Sequence, residues 1–525
     1  MREKKRKYSS NTQNLIINPD NRRPLPQSFA KEQHHGAVIF LQALKTKDSL
    51  GVGEFPDLIP MIEWFNEINF DVLQLLPLND SGLDPSPYNA ISAFALNPIF
   101  LRLPIPQNEN QKIIIRKLKT LNECKLVKYR KVYLLKDDYF TDIFANIKDK
   151  KQLYEELDQF SQESPWVKMY AQYKLLREQN DWKPVPPNTQ IKKLSASQRE
   201  RFYYHLWVQF LCRQQMSQVK SYADSLQVLI KGDLPILLSP DSADVWSAPS
   251  NFNLEFSAGA PPDAYAKNGQ YWGFPTFNWI EHKEDLLQWC HSRLKNFEKY
   301  YHAYRIDHVV GLFRLWTILR GKPATEGKFV PSTKKAWLSQ GKSILKKFLT
   351  FSKMLPIAED LGSVPIEVKE CLQTLGIPGT KVLIWENDMN GFPIPLDEYP
   401  PISMSTLSTH DTDLFKHWWN ENPKTSETWA KSMGLPYKKN ISKALLKQVL
   451  RLCHGSSSVF HINLLQEYLC IIPNYTWDDQ RKDRINIPGT VGDKNWCYRY
   501  RPSVEQMISC RQLKELMREL AISER

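Results

Sequence analysis

Three stretches of this sequence are apolar runs that end in acids. The first is Ala303-Tyr-Arg-Ile-Asp-His308. In a strand, Arg305 and Asp307 share one face while Ile306 takes the other. A guanidinium beside a carboxylate lowers its pKa and keeps it ionised, as a carboxylate nucleophile requires. The same pair also suits a salt bridge inside a barrel. The second is Leu355-Pro-Ile-Ala-Glu-Asp360. Acids at the C-terminal end of a parallel strand lie where barrel enzymes place their chemistry; a helix N-cap is the alternative, and it fits Asp360 better than Glu359. The third, Met404 to Asp411, ends in His410-Asp411, and His410 alone also reads as a satisfied core histidine. Taken together, paired carboxylates at strand ends point to cleavage of a glycosidic bond.

Other segments offer binding groups. Lys231 to Trp246 reads as a strand followed by an acid-rich loop with Asp241 and Asp244; a solvated loop is the plainer reading. Ala260 to Phe274 is irregular and carries Asp263, Gln270, Tyr271, Trp272 and Phe274. Flat rings in a Gly/Pro loop suit stacking on a sugar, and they also suit a loop pinned by its own aromatics. Asp84-Pro-Ser-Pro-Tyr88 follows an early strand and can aim Ser86 and Tyr88 at the same place, or form an ordinary proline turn. Gly341-Lys-Ser343 has Ala336 where a phosphate loop needs its first glycine. No HExxH helix, GxSxG elbow or EF-hand loop occurs.

Elements that alternate between strand and helix must position these residues. Ala37–Phe40, the helical pattern of Leu58–Ile68 and Val72–Leu76 form a βαβ unit. Further strands are expected at Val228–Leu238, Ala303–Ile306, Leu355–Ala358, Lys381–Trp385 and Ser403–Thr406, with helices at Lys334–Phe351 and Ile366–Thr374. Between them, the Lys-, Glu- and Gln-rich stretch 107–225 shows helical periodicity at Leu153–Phe160, Trp166–Leu176 and Phe202–Val219. The pattern predicts an α/β protein, a (β/α)8 TIM barrel with large, mainly helical insertions at its C-terminal face. The expected division is a basic tail at 1–30, the start of the barrel at 31–106, the helical insertion at 107–225 and the rest of the barrel at 226–525.

The composition agrees with a folded, soluble chain. Of 525 residues, 42% are hydrophobic and 24% charged, which excludes wholesale disorder. The net charge of +13 gathers partly in Arg2, Lys4, Lys5, Arg6 and Lys7. That cluster lacks interleaved aromatics apart from Tyr8, so nucleic acid is not an expected partner. No apolar run reaches the ~18 residues that span a bilayer, and no signal-peptide core follows the basic start. Eight scattered cysteines without a Cys-x-x-Cys pair suit reduced thiols. A cytoplasmic protein without membrane partners is expected.

Ten segments in order resemble the 4-α-glucanotransferase family, also called amylomaltase or disproportionating enzyme, the glycoside hydrolase family 77 relatives of the α-amylases. They are LGVGEF (50–55), LQLLPL (73–78), SPYNAISAFALNP (86–98), GDLPILLSPDSADVW (232–246), APPDAYAKNGQYWG (260–273), YRIDHVVG (304–311), IAEDLG (357–362), LGIPGTKVL (375–383), STHD (408–411) and INIPGT (485–490). The resemblance implies Asp307 as nucleophile, Glu359 as general acid/base and Asp411 as the third acid. It implies Arg305 as the partner of the nucleophile, and Asp241, His308, His410 and Tyr88 around the reacting sugar. Ser86 falls in the same segment as Tyr88, and Asp263, Gln270 and Trp272 fall in a loop that folds over glucan. The implied activity is retaining transfer of α-1,4-glucan segments between maltodextrins, with glucose or maltose as acceptor and no metal or cofactor. An α-amylase-like hydrolase and a non-catalytic glucan-binding protein are the alternatives. Departures from the family text are Thr412-Asp413-Leu414 after Asp411, Thr380 for a usual Met, and a loop after Phe40 without Pro-Thr-Ser-Leu; all three acids remain.

Overall fold

The computed structural model describes residues 33–522 apart from 190–192, 263–265, 389, 478, 480–481, 491 and 493. The expected tail at 1–30 and the candidate Asp263 therefore lie outside the described residues. Eight strands close into a parallel barrel. They are β1 (His34–Ile39), β2 (Val72–Leu75), β3 (Leu229–Leu234), β4 (Ala303–Ile306), β5 (Leu355–Ala358), β6 (Gly379–Val382), β7 (Ser403–Thr406) and β8 (Phe460–Leu464). Each pairs with the next in sequence, and β8 returns to β1 with Phe460 beside His34.

The expected strands recur with adjustments that have physical causes. β3 ends at Leu234 rather than Leu238, because Pro235 has no N–H to continue the ladder. β6 covers Gly379–Val382, not Lys381–Trp385. Its register is set by Gly379, which pairs with Ala358 on one side and Ser403 on the other. The apolar Leu383-Ile384-Trp385 text belongs to the turn beyond. β8 was not expected at all. Its sequence, Phe-His-Ile-Asn-Leu, alternates apolar residues with His461 and Asn463 and shows no apolar run, yet every residue is buried.

Between β2 and β3 the chain passes through five helices: Glu109–Asn122, Tyr129–Ala145, Lys150–Glu163, Trp166–Gln179 and Ala196–Ser225. The last opens with a capping box at Ser195 and Gln198, packs on helix Leu58–Glu67 and leads into β3. A buried ion pair ties the insertion to the barrel. Lys136 Nζ lies 2.7 Å from Glu54 Oε1, in the loop after β1, and donates to the carbonyls of Ile99 and Leu101 at 2.8 Å. All three protons of the ammonium are thus taken, which makes its burial tolerable.

Within β3, Gly232 leaves room for the fully packed ring of Tyr301. A Cβ there would lie 2.5 Å from the ring. Gly232→Ala is expected to destabilise the protein by about 1–3 kcal/mol through overpacking. Urea unfolding checks this as a lower midpoint with an unchanged slope. An unmoved midpoint would show that the ring yields freely.

Candidate active site

The ends of β4, β5 and β7 each deliver an acid to the C-terminal mouth of the barrel. Asp307 follows β4, Glu359 follows β5, and Asp411 lies in the loop after β7. Arg305, on β4, joins the first two. Its Nη1 lies 2.9 Å from Asp307 Oδ1 and 2.9 Å from both oxygens of Asp233, and its Nη2 lies 3.3 Å from Glu359 Oε2. Asp233 and Arg305 are register partners in the β3–β4 ladder, so the backbone itself sets them side by side. Tyr88 Oη donates to Asp233 Oδ2 at 2.7 Å and accepts from Arg305 Nη1 at 3.2 Å.

Burial shapes the electrostatics of this cluster. Glu359 is pushed well up by burial, against the pull of Arg305 and with help from the charge of Asp307. The sequence reading expected Arg305 to lower the pKa of Asp307. Arg305 does act in that direction, but burial outweighs it and Asp233 adds to the rise, so Asp307 also lies above the usual Asp range. His308 has a left-handed backbone, φ +45°, uncommon outside glycine. That turn aims its N–H at Glu359 Oε2, 2.5 Å away. Burial, with Arg305 nearby, pushes the His308 imidazole down to about 4, so it is neutral at pH 7.

Asp411 differs from the other two acids. Burial works to raise its pKa, but His410 and Asn486 outweigh it and hold the carboxyl well below its usual range. His410 Nε2 is 3.4 Å from Oδ2, and Asn486 Nδ2 donates to Oδ1 at 2.7 Å. Tyr88 stacks on His410 with centroids 5.2 Å apart and planes 19° apart. Trp496 packs against both rings, at 5.4 Å and 5.6 Å.

The structure thus brings together Asp307, Glu359, Arg305, His308 and Tyr88, with His410 stacked on Tyr88 and Asp411 paired with His410. Trp272 borders them edge-on to His308 at 5.0 Å and donates its indole N–H to Gln270 Oε1 at 3.0 Å. Asp241 is held by the insertion: Tyr173 Oη donates to it at 2.5 Å and Arg177 pairs with it, both from helix Trp166–Gln179. Ser86 lies in a turn in which its N–H donates to Asp84 Oδ1 at 2.9 Å. Asp360 caps no helix, since the next helix starts at Ile366; it accepts the Thr380 N–H at 2.7 Å and straps β5 to β6. Sequence reasoning missed Asp233, Asn486 and Trp496. Strand alternation from Lys231 places Asp233 on the same inward face, and that signal was available. Among the described residues no group of His, Cys, Asp and Glu is arranged to hold a metal ion, and no helix is long and apolar enough to cross a membrane.

Comparison with known proteins gives concordant results. The family model described as 4-alpha-glucanotransferase matches residues 39–505. The chain is 39% identical over 520 residues to a 4-alpha-glucanotransferase of Chlamydia trachomatis serovar D, covering 96% of this chain and 98% of that one. It is 28% identical over 494 residues to a 4-alpha-glucanotransferase of Aquifex aeolicus, covering 90% and 96%. In fold it resembles an amylomaltase from Streptococcus agalactiae solved with acarbose, with TM-score 0.77 and 24% identity over 93% of this chain and 99% of that one.

Arg305→Met would leave the fully buried Asp233 with Tyr88 as its remaining partner. A loss of about 3–5 kcal/mol in folding stability is expected, the usual cost of a stranded buried charge. Adding Asp233→Asn to that variant should recover much of the loss. Denaturant unfolding of the three proteins checks it, and a double variant no more stable than the single one would count against the pairing.

Proposed function

The chain belongs to the 4-alpha-glucanotransferase family and acts on alpha-1,4-glucans, and from that premise we propose a retaining double displacement with Asp307 as nucleophile and Glu359 as general acid/base. The observation that carries this reading is the unequal sharing of Arg305 between the two acids, with Asp307 at 2.9 Å from Nη1 and Glu359 at 3.3 Å from Nη2. The group that keeps its proton serves as acid, and the group closest to the guanidinium serves as anion.

In the first step Asp307 attacks the anomeric carbon, and Glu359 gives its proton to the departing 4-oxygen. The glycosidic bond breaks and a glycosyl–Asp307 ester forms. In the second step Glu359, now ionised, takes the proton from the 4-hydroxyl of an acceptor glucan. That oxygen attacks the anomeric carbon and frees Asp307. Asp411, ionised and held by His410 and Asn486, is suited to bind sugar hydroxyls and to steady positive charge at the anomeric carbon. Tyr88 and His410 supply a flat wall for the reacting sugar. Gln270 and Trp272, beside His308, serve as a flap that faces the acceptor and excludes water. Glucose or maltose serves as a short acceptor. The helical insertion at 107–225 frames the mouth as a subdomain, and the enzyme works in the cytoplasm.

Incubation with maltotriose tests the activity: a ladder of longer maltodextrins means transfer, and glucose with maltose alone means hydrolysis. The pH profile of kcat/KM tests the roles. Asp307 must be ionised, so the rate is lost as pH falls through its raised pKa. Glu359 must be protonated, so the rate is lost as pH rises through its own raised pKa. A bell is expected with both limbs above the ordinary Asp and Glu ranges. Glu359→Gln should lose about 10²–10⁴ in kcat and abolish the alkaline limb. An unchanged limb in that variant would refute the acid/base assignment.

A further inference from the structure

Glu467 is fully buried on helix Leu465–Leu469, directly after β8. Its Oε1 accepts two hydrogen bonds, one from the Ser408 hydroxyl and one from the Phe415 N–H at 2.9 Å. Those donors stand at either end of residues 409–414, the stretch that contains His410 and Asp411. From β8 itself, Asn463 Oδ1 takes the Leu407 N–H at 2.8 Å. Inside the loop, Thr412 Oγ1 accepts the Thr409 N–H at 2.9 Å. Both ends of the loop after β7 are therefore held by β8 and the helix that follows it, elements that contribute no acid to the reaction.

A buried carboxyl at this place is costly, and an apolar residue of similar volume would cost less. Glu467 Oε2 has no hydrogen-bond partner among the described residues. Burial pushes the carboxyl up to about 7. What it offers that an apolar residue cannot is one oxygen that binds two donors seven positions apart in sequence. Asp411 needs such support, because its side chain is 42% exposed at the mouth and its loop is tied elsewhere by Asn486 and Arg484.

We propose that Glu467 is a positioning residue for the transfer reaction: by bonding both ends of the 409–414 loop it sets Asp411 against the reacting sugar. This rests on the reading of Asp411 as the third acid. The experiment measures kcat and KM for maltotriose disproportionation in Glu467→Ala, Glu467→Gln, Ser408→Ala and Asp411→Asn, with thermal melting alongside. Glu467→Ala is expected to lower kcat by about 10- to 100-fold, the scale of a misplacement near 1 Å, with KM moved much less. Glu467→Gln keeps an acceptor oxygen and should retain at least about a third of kcat. Ser408→Ala removes one of the two bonds and should fall between them; it carries the test if Glu467→Ala does not fold. Combined with Asp411→Asn, neither Glu467→Ala nor Ser408→Ala should lower kcat further, since groups acting as a unit are not additive.

Multiplicative losses in the double variants, or a Gln variant as damaged as the Ala variant, would overturn the proposal. Wild-type kcat in Glu467→Ala alongside a crippled Asp411→Asn would overturn it alone. Wild-type kcat in Asp411→Asn would overturn the reading of Asp411 itself, and this proposal with it.

Discussion

One guanidinium makes the mouth of this barrel possible. Arg305 stands among Asp233, Asp307 and Glu359, three acids in a volume from which water is largely excluded. Without a cation there, burial would drive Asp307 and Glu359 still further toward the neutral form. With it, at least one negative charge is retained, because an ion pair at 4 Å is worth about 4 kcal/mol at the effective dielectric of a partly buried site. Asp307 and Glu359 sit differently around it. Asp307 takes a guanidinium nitrogen at 2.9 Å, whereas Glu359 takes the other at 3.3 Å and feels the charge of Asp307. Asp233 meets the same guanidinium nitrogen with both of its oxygens.

The loops that complete the site are held from outside themselves. The loop after β7 depends on Asn463 and Glu467 from the next barrel unit. The loop after β3, with Asp241, is pinned by Tyr173 and Arg177 of the helical insertion. The insertion in turn is anchored by Lys136 on Glu54, after β1. A barrel places strand ends with precision, but its loops gain definition from such cross-links between neighbours.

Two backbone outliers sit at the site. His308 has φ +45° and Trp496 has φ +61°. Conformations of this kind cost about 1–3 kcal/mol and persist where their surroundings overdetermine them. For His308 the return is an N–H aimed at Glu359. For Trp496, the backbone N–H donates to the Ile485 carbonyl at 2.9 Å while its own carbonyl accepts from Gln42. The indole so fixed packs against both Tyr88 and His410.

The sequence by itself determined the barrel class, most of its strands and the placing of acids where three of those strands end. Those signals are local: an apolar run buried on both faces, then a polar pair where the run stops. It also brought Arg305 and Asp307 together, since two residues of separation in a strand is a contact. It did not reveal β8, because His461 and Asn463, which point out of the barrel toward its helical layer, break the apolar run. Nor did it reveal Asp233 as the second partner of Arg305, a contact across 72 positions that exists only because β3 and β4 pair in that register. Trp496 against Tyr88 and Glu467 beneath the Asp411 loop are likewise products of closure. The direction of the Asp307 shift was decided there too. A neighbouring arginine is visible in sequence, whereas the burial that outweighs it is a property of the assembled mouth, where many distant segments together exclude the water that would otherwise stabilise the charge.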